Sequence, residues 1–455
     1  MRLLIFLLTL GTSLHAAPNI LFIVADDQRA DTIHALGNAA IDTPNLDRLV
    51  TRGTSFSRAY AGYPICHVSR AQILTGTPAF KALPKYPGGA IDPTLATLGG
   101  TLLKAGYHTC YTGKWHNDGH PKQRGYTTTS GLYSSGGGKG VTQPDIDDRG
   151  RPLTGYRGWT FKDETNQAEL GKGVGLQPDN SRHIADGAIH TVKTAPQDKP
   201  LFLHVNFAFP HDPRQWPAGM KDRYAAAKMP LPANFAPKHP FDHGNIDGRD
   251  ERLLPTPRTP GDVREELAIY YAMITDLDAQ LGRILAALPA PDDTIIIFTS
   301  DQGLALGSHG LIGKQNEYEH SIRSPLIICG PGLPKNERSA ALVNLSDLFP
   351  TLCELSGTAI PSSVQSKSLA PLLRQQTDRA HDFVTGVFTD TQRMICDERW
   401  KFVLYPKVGR EQLFDLQTDP DELHDLSGDP AHKTTRNDLK GRLENWRREQ
   451  GDPDL

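Results

Sequence analysis

Four apolar runs of the chain each break into polar residues. Residues 20–25 lead into Asp26-Asp27, and residues 107–112 into Gly113-Lys114-Trp115-His116. Residues 201–209 lead into Pro210-His211-Asp212, and residues 294–299 into Ser300-Asp301-Gln302-Gly303. Continuous apolar strands suit a sheet covered on both faces. Polar groups at their ends suit a site along the carboxyl edge of an open α/β sheet. Helical signals alternate with these runs. Thr43-Pro44 opens one helix with a cap and a first-turn proline, and Gly53 closes it. Leu95, Leu98, Leu102 and Leu103 form a helical stripe that Gly106 ends, and residues 263–288 place Leu267, Ile274, Leu277, Leu281 and Leu285 on one face. The alternation predicts an α/β fold with a large, mostly parallel, doubly wound sheet.

Two tracts break the pattern. Residues 125–180 are rich in Gly, Ser, Thr and Asp, and residues 212–262 in Pro and charge. Both read as long excursions beside the site or as irregular surface. Gly136-Gly137-Gly138-Lys139-Gly140 lacks the spacing and the following Ser or Thr of a phosphate-binding loop, and reads as flexible loop. Beyond about residue 375 the pattern changes to short strands at 383–388, 400–405 and 412–416, then a helix near 437–448. The expected division is a leader at 1–17, a catalytic α/β domain at 18–374 and a small antiparallel α+β subdomain at 375–455. The leader reads as an export signal: Arg2, an apolar run at 3–8, and small residues Ala16 and Ala17 before Pro18. A buried strand is the bland alternative, and the run is too short to span a bilayer. The expected destination is the periplasm or the exterior.

Composition narrows the function. With 38% hydrophobic and 22% charged residues the chain is an ordinary globular protein. A formal charge of -3 and the lack of a long basic run argue against a nucleic-acid partner, while local cations still leave room for an anionic substrate. The five cysteines, Cys66, Cys110, Cys329, Cys353 and Cys396, are an odd number, so at least one is left for chemistry or is free and buried. Asp26, Asp27, Asp301 and the amide of Gln302 make an all-oxygen set at two strand ends, which suits calcium or magnesium better than zinc. Taken singly, each would more often be a turn or cap residue.

The turn Cys66-His67-Val68-Ser69-Arg70, followed by Ala71-Gln72-Ile73-Leu74-Thr75-Gly76, resembles the Cys-x-Pro-Ser-Arg signature of the formylglycine-dependent sulfatases of the alkaline phosphatase superfamily. Ala25-Asp26-Asp27, Gly113-Lys114-Trp115-His116, Pro210-His211, Ser300-Asp301-Gln302-Gly303 and Gly310-Leu311-Ile312-Gly313-Lys314 occur in the family's order, and the resemblance covers about residues 19 to 420. It implies an alkaline phosphatase-like sheet and a sulfuric ester hydrolase. It implies that a maturation enzyme oxidises Cys66 to formylglycine, the nucleophile, and that Asp26, Asp27, Asp301 and Gln302 hold one calcium. Arg70 would support the nucleophile, Lys114 and Lys314 would bind sulfate oxygens, His211 would protonate the leaving alcohol, and His116 would help break down the sulfated intermediate. Physical chemistry agrees. Sulfate transfer spreads negative charge that cations stabilise, a poor leaving alcohol needs an acid, and the start of a helix after Cys66 favours an anion.

Two positions depart from the family. Val68 stands where Pro or Ala is usual, and Gln302 where Asn or His is commoner. His67, Trp115 and His309 read as packing or supporting residues. Segments Pro210-His211-Asp212-Pro213-Arg214 and Glu317-Tyr318-Glu319-His320 look like parts of bacterial sulfatases that act on polysaccharides. Asp212, Arg214 and His320 would then meet the sugar, or would form a local ion pair and a helix cap. Rival readings are a phosphate mono- or diesterase of the same superfamily, and an inactive sulfate- or glycan-binding homologue with unmodified Cys66.

Overall fold

A computed structural model describes residues 17–141, 143–147, 150–151 and 153–454. The expected leader lies outside them apart from Ala17. Asn19–Ala25 forms β1, the centre of a ten-stranded sheet. Thr294–Ser300 (β7) and Leu201–Asn206 (β6) flank it in parallel, and His108–Lys114 (β3) and Thr128–Ser134 (β4) continue the parallel series beyond β6. Thr160–Lys162 (β5) closes that edge antiparallel. On the other side lie Arg323–Cys329 (β8), antiparallel to β7, and Thr54–Tyr60 (β2), antiparallel to β8. Glu337–Ser339 (β9) and Val343–Asn344 (β10) pair with β2 in parallel.

The central strands bury both faces, as their unbroken apolar runs require. Ile20, Phe22 and Val24 of β1, with Ile295 and Ile297 of β7, face one core. Leu21, Ile23 and Ala25, with Ile296 and Phe298, face the other. The first core packs against Cys66–Thr75 (α2), Leu98–Lys104 (α3) and Leu348–Leu355 (α6) through residues such as Val68, Leu102 and Phe349. The second packs against Pro44–Arg52 (α1), Asn180–Thr194 (α4) and Pro260–Ala287 (α5) through Leu49, Ile184 and Leu277. At about 25 cal/mol per Å² of apolar surface removed from water, two such cores hold the sheet without help from disulfides. All five cysteines are free and buried. No described helix is long and apolar enough to cross a membrane.

Several elements differ from the sequence pattern. Thr43 does not cap α1: its hydroxyl accepts from the His34 amide at 2.9 Å and donates to Asp47 at 3.1 Å. Helix α5 starts at Pro260, where Thr259 does cap it by accepting from the Asp262 amide. The C-terminal sheet runs in order through Val384–Phe388 (β11), Gln392–Cys396 (β12), Trp400–Tyr405 (β13) and Arg410–Asp415 (β14), all antiparallel. Lys433–Gln450 (α7) covers one face of it through Leu439 and Leu443. The other face rests on Tyr60 and Ile322 of the large domain.

Candidate active site

Register brings the chemistry together. Ala25 pairs with Ser300, so Asp26-Asp27 and Asp301-Gln302 leave adjacent strands side by side. Val24 and Gly113 both pair with Asn206, which puts Lys114 at the same level. Gly113 has φ +88°, and a Cβ there would lie 1.9 Å from the Asn206 carbonyl oxygen, so only glycine lets β3 and β6 pair closely at this point. Asp27 also has a positive φ, 70°, a conformation that Asp tolerates better than most residues. Its amide donates to Asp301 Oδ1 at 3.1 Å.

Cys66 is the first residue of α2, at the positive end of the helix dipole, and is 1% exposed. Its Sγ lies 3.1 Å from Gln302 Nε2, 3.3 Å from Lys314 Nζ and 3.9 Å from Asp27 Oδ1. Lys314 Nζ donates to both Asp27 oxygens, at 2.9 and 2.7 Å. Lys114 Nζ donates to Asp26 Oδ2 at 2.5 Å. Arg70 donates from Nε to Asp301 Oδ2 at 2.8 Å and from a terminal nitrogen to Asn206 Oδ1 at 2.5 Å. His211 Nε2 faces Asp27 Oδ2 at 3.7 Å, while its Nδ1 sits 2.6 Å from the Asp212 carbonyl oxygen and 3.1 Å from Asp212 Oδ1. His116 packs edge-on against Trp159 with ring centres 5.3 Å apart.

These charges set each other's protonation. Burial opposes ionisation of Asp26, but Lys114, His211, Arg70 and Lys314 outweigh it and hold the carboxyl well below its usual range. Asp301 goes the other way: burial, with Asp26 and Asp27 nearby, lifts it to about 7 despite Arg70 and Lys114. Burial and Asp26 push the Cys66 thiol well up, against the two lysines. Burial lowers His211 and, more strongly, His116. Burial disfavours the Lys314 ammonium, yet Asp27 chiefly keeps it charged, well above the usual lysine range.

The site has the donors for a cation. Asp26, Asp27, Cys66 and His211 each offer a ligand atom within 4.8 Å of the others. Asp26 Oδ1 and Gln302 Oε1 are buried without a hydrogen-bond partner. Two carboxylates and an amide oxygen at that spot fit a hard divalent ion. Gln302 differs from expectation in one respect: its Nε2, not its oxygen, turns inward and donates to Asp27 Oδ1 at 2.6 Å, because that carboxylate attracts a donor. A half turn of the amide exchanges the two atoms.

Three expected sugar-binding residues sit apart from the nucleophile or are already engaged. Arg214 pairs with Glu266 of α5, with both side chains buried. Asp212 pairs with Arg249 at 2.8 Å. His320 packs beside the stacked pair of Tyr318 and His309, ring centres 5.7 and 5.6 Å away. Other residues of the site had no signal in the sequence. Tyr156 donates its hydroxyl to Asp26 Oδ2. Tyr270 donates to the Asp27 carbonyl oxygen at 2.6 Å. Glu251 accepts from the Ile312 and Gly313 amides at 3.0 and 2.9 Å and so fixes the turn that carries Lys314.

The family model described as Sulfatase matches residues 18–358. The chain belongs to the sulfatase family. It is therefore a sulfuric ester hydrolase of the alkaline phosphatase superfamily. A second model, described as N-sulphoglucosamine sulphohydrolase, C-terminal, matches residues 307–449. Among relatives, an arylsulfatase of Clostridium perfringens is 29% identical over 446 residues, with 91% of each chain covered. The multifunctional alkaline phosphatase superfamily protein PehA of Trinickia caryophylli is 27% identical, with 96% of each covered. A protein solved with its substrate D-glucosamine-2-N,6-O-disulfate superposes with a TM-score of 0.77 at 22% identity, over 96% of this chain and 99% of its own.

Proposed function

We propose that this sulfatase hydrolyses a sulfate ester on a carbohydrate, with formylglycine made from Cys66 as nucleophile and one calcium held by Asp26, Asp27, Asp301 and Gln302. The observation that carries the reading is the packing of Cys66 Sγ against Lys314 and Gln302 at the meeting point of β1, β7 and α2. The carbohydrate rests on the match of residues 307–449 to the model named for an N-sulphoglucosamine sulphohydrolase. Bound calcium supplies positive charge that polarises a sulfate oxygen and favours the ionised form of an oxygen nucleophile. Formylglycine supplies a hydrated aldehyde, whose second hydroxyl lets the bound sulfate be expelled again.

The side chains divide the remaining work. Lys114 and Lys314 offer ammonium groups, in a site sealed from water, to oxygens that gain charge as the S–O bond to the sugar breaks. Arg70 holds Asp301 in place. His211 points Nε2 into the site; burial lowers its pKa, but Asp212 and Asp27 favour its charged form, so the ring, once protonated, would hand its proton to the departing alcohol oxygen. His116, held against Trp159, would accept a proton from the formylglycine group. An unmodified thiol would serve poorly here, since its raised pKa keeps it protonated at neutral pH. Val68, the departure in the signature, is fully buried in the first core, where an apolar side chain of proline's bulk is accommodated. Arg214 and His320 are better explained as bracing residues than as sugar contacts. Export of the chain through its leader, to the periplasm or beyond, and maturation by a formylglycine-generating enzyme belong to the same proposal.

Intact-protein mass of the chain from its native host, joined to turnover of an aryl sulfate, tests the reading. Conversion of Cys66 with turnover supports it. Activity with only unmodified cysteine would call for a direct thiol mechanism, and an unmodified, inactive chain would make it a binding homologue. The similarity to PehA favours a second reading, a phosphate mono- or diesterase. Assay of the matching aryl phosphate separates the two.

A further inference from the structure

Tyr156 lies in the irregular tract between β4 and β5, and three observations set it apart. Its backbone is left-handed, φ 58°, which is rare for a bulky residue and persists only where the surroundings impose it. Its side chain is buried and donates its hydroxyl to Asp26 Oδ2. Its ring touches two groups of the site: Lys114 Nζ lies 5.2 Å from the ring centre, and the His211 ring packs edge-on at 4.8 Å. Trp159 and Tyr133 back it on the far side, with ring centres 4.9 and 5.5 Å away. The preceding residue shows how tightly this segment is seated. A Cβ on Gly155 would lie 2.3 Å from the Asp212 carbonyl oxygen and 2.5 Å from Asp212 Oδ2, so glycine alone lets the loop wedge between Asp212 and Asp26.

The two oxygens of Asp26 are consequently unequal. Oδ2 accepts from both Lys114 and Tyr156, whereas Oδ1 is buried and accepts no hydrogen bond, with a terminal nitrogen of Arg70 3.7 Å away. We infer that Tyr156 is a positioning residue for the cation: by pinning Asp26 Oδ2 beside Lys114, it presents Oδ1 as the one oxygen that Asp26 gives to a divalent ion. A carboxylate with one oxygen saturated cannot chelate through both, so the hydroxyl sets how Asp26 binds. This rests on the cation site of the proposed function and adds a residue that carries no charge and no signature motif.

Tyr156→Phe is the discriminating variant, because it keeps the ring against Lys114, His211 and Trp159 and deletes only the hydroxyl. Calcium binding to purified protein is measured by calorimetry, with melting in chelator as the control for fold. The expected result is an unchanged melting temperature in chelator and calcium affinity weaker by about 10- to 100-fold, the usual effect of losing a partner of a metal ligand. At saturating calcium, kcat should recover most of its wild-type value with KM little changed. Equal calcium affinity in wild type and Tyr156→Phe overturns the inference and leaves the proposed function standing. Wild-type protein that binds no divalent ion overturns both.

Discussion

Arg70 Nε donates to Asp301 Oδ2 at 2.8 Å, and both side chains are sealed from solvent. The same guanidinium reaches Asn206 and the Ala25 carbonyl oxygen, so it ties the ends of β7, β6 and β1 to α2. Removing one partner of a buried pair leaves the other charge uncompensated. Arg70→Met should lower unfolding stability by about 3–5 kcal/mol in chelator, read from urea denaturation, and should abolish turnover. A loss under about 1 kcal/mol would mean that Asp301 already sits neutral and unaided.

Cation removal gives a second outcome. Exhaustive chelation should abolish sulfate ester turnover and lower the melting temperature, since a ligand that binds only the folded state stabilises it. Returning calcium should restore both. Full turnover after chelation, or metal analysis that finds stoichiometric zinc, would remove calcium from the reaction.

His211→Ala should discriminate between leaving groups. A sugar alcohol needs a proton to depart, whereas an activated phenol leaves almost unaided, and general acid catalysis is commonly worth about 10²–10⁴-fold. The variant should lose roughly that factor on a sugar sulfate and far less on an activated aryl sulfate. Equal losses on both would assign His211 to binding or to the turn through Asp212.

Glu317 provides a pH prediction away from the carboxylate cluster. It is fully buried, neither oxygen has a hydrogen-bond partner, and burial lifts its pKa to about 8 although Lys401 and Arg393 pull it down. The folded state therefore keeps a proton that the unfolded chain releases near its ordinary value of 4.5. Stability is greatest below that ordinary value and falls as pH rises through the window up to about 8. Glu317→Gln should flatten this slope, leaving the variant more stable than wild type at pH 8 by on the order of 2–4 kcal/mol. Urea midpoints at pH 5 and pH 8 measure it, and parallel slopes in the two proteins would place the proton elsewhere.

What could be read from the sequence follows the physics of each element. Strands β1 and β7 were legible because a sheet buried on both faces needs unbroken apolar runs, and their polar ends announced Asp26, Asp27, Asp301 and Gln302. Strand β12 was not, because it contains Gln392 and Arg393; Arg393 is buried yet satisfied by Asp452 at 2.7 and 2.8 Å. Leu103, counted into a helical stripe, is 39% exposed, since α3 is short and turns only Leu98 and Leu102 fully inward. Tyr156 and Glu251 lie in tracts without periodicity, and their roles depend on where the loop returns. Local pattern cannot specify a contact between Tyr156 and Asp26 across 130 residues.

The pairing of Ala25 with Ser300 has a consequence for the order of assembly. Asp26-Asp27 leaves the ribosome long before Asp301-Gln302 and Lys314, so the carboxylates have no common site until more than three hundred residues have been made. On the proposed ligand set, no N-terminal fragment would hold the ion at full strength. Binding of the proposed ion would then report completion of the sheet, since a ligand that engages only the closed register stabilises it against reopening. Proteolysis of the chelated protein should accordingly begin where β7 detaches from β1, in the turn that bears Lys314, before the flanking helices are touched.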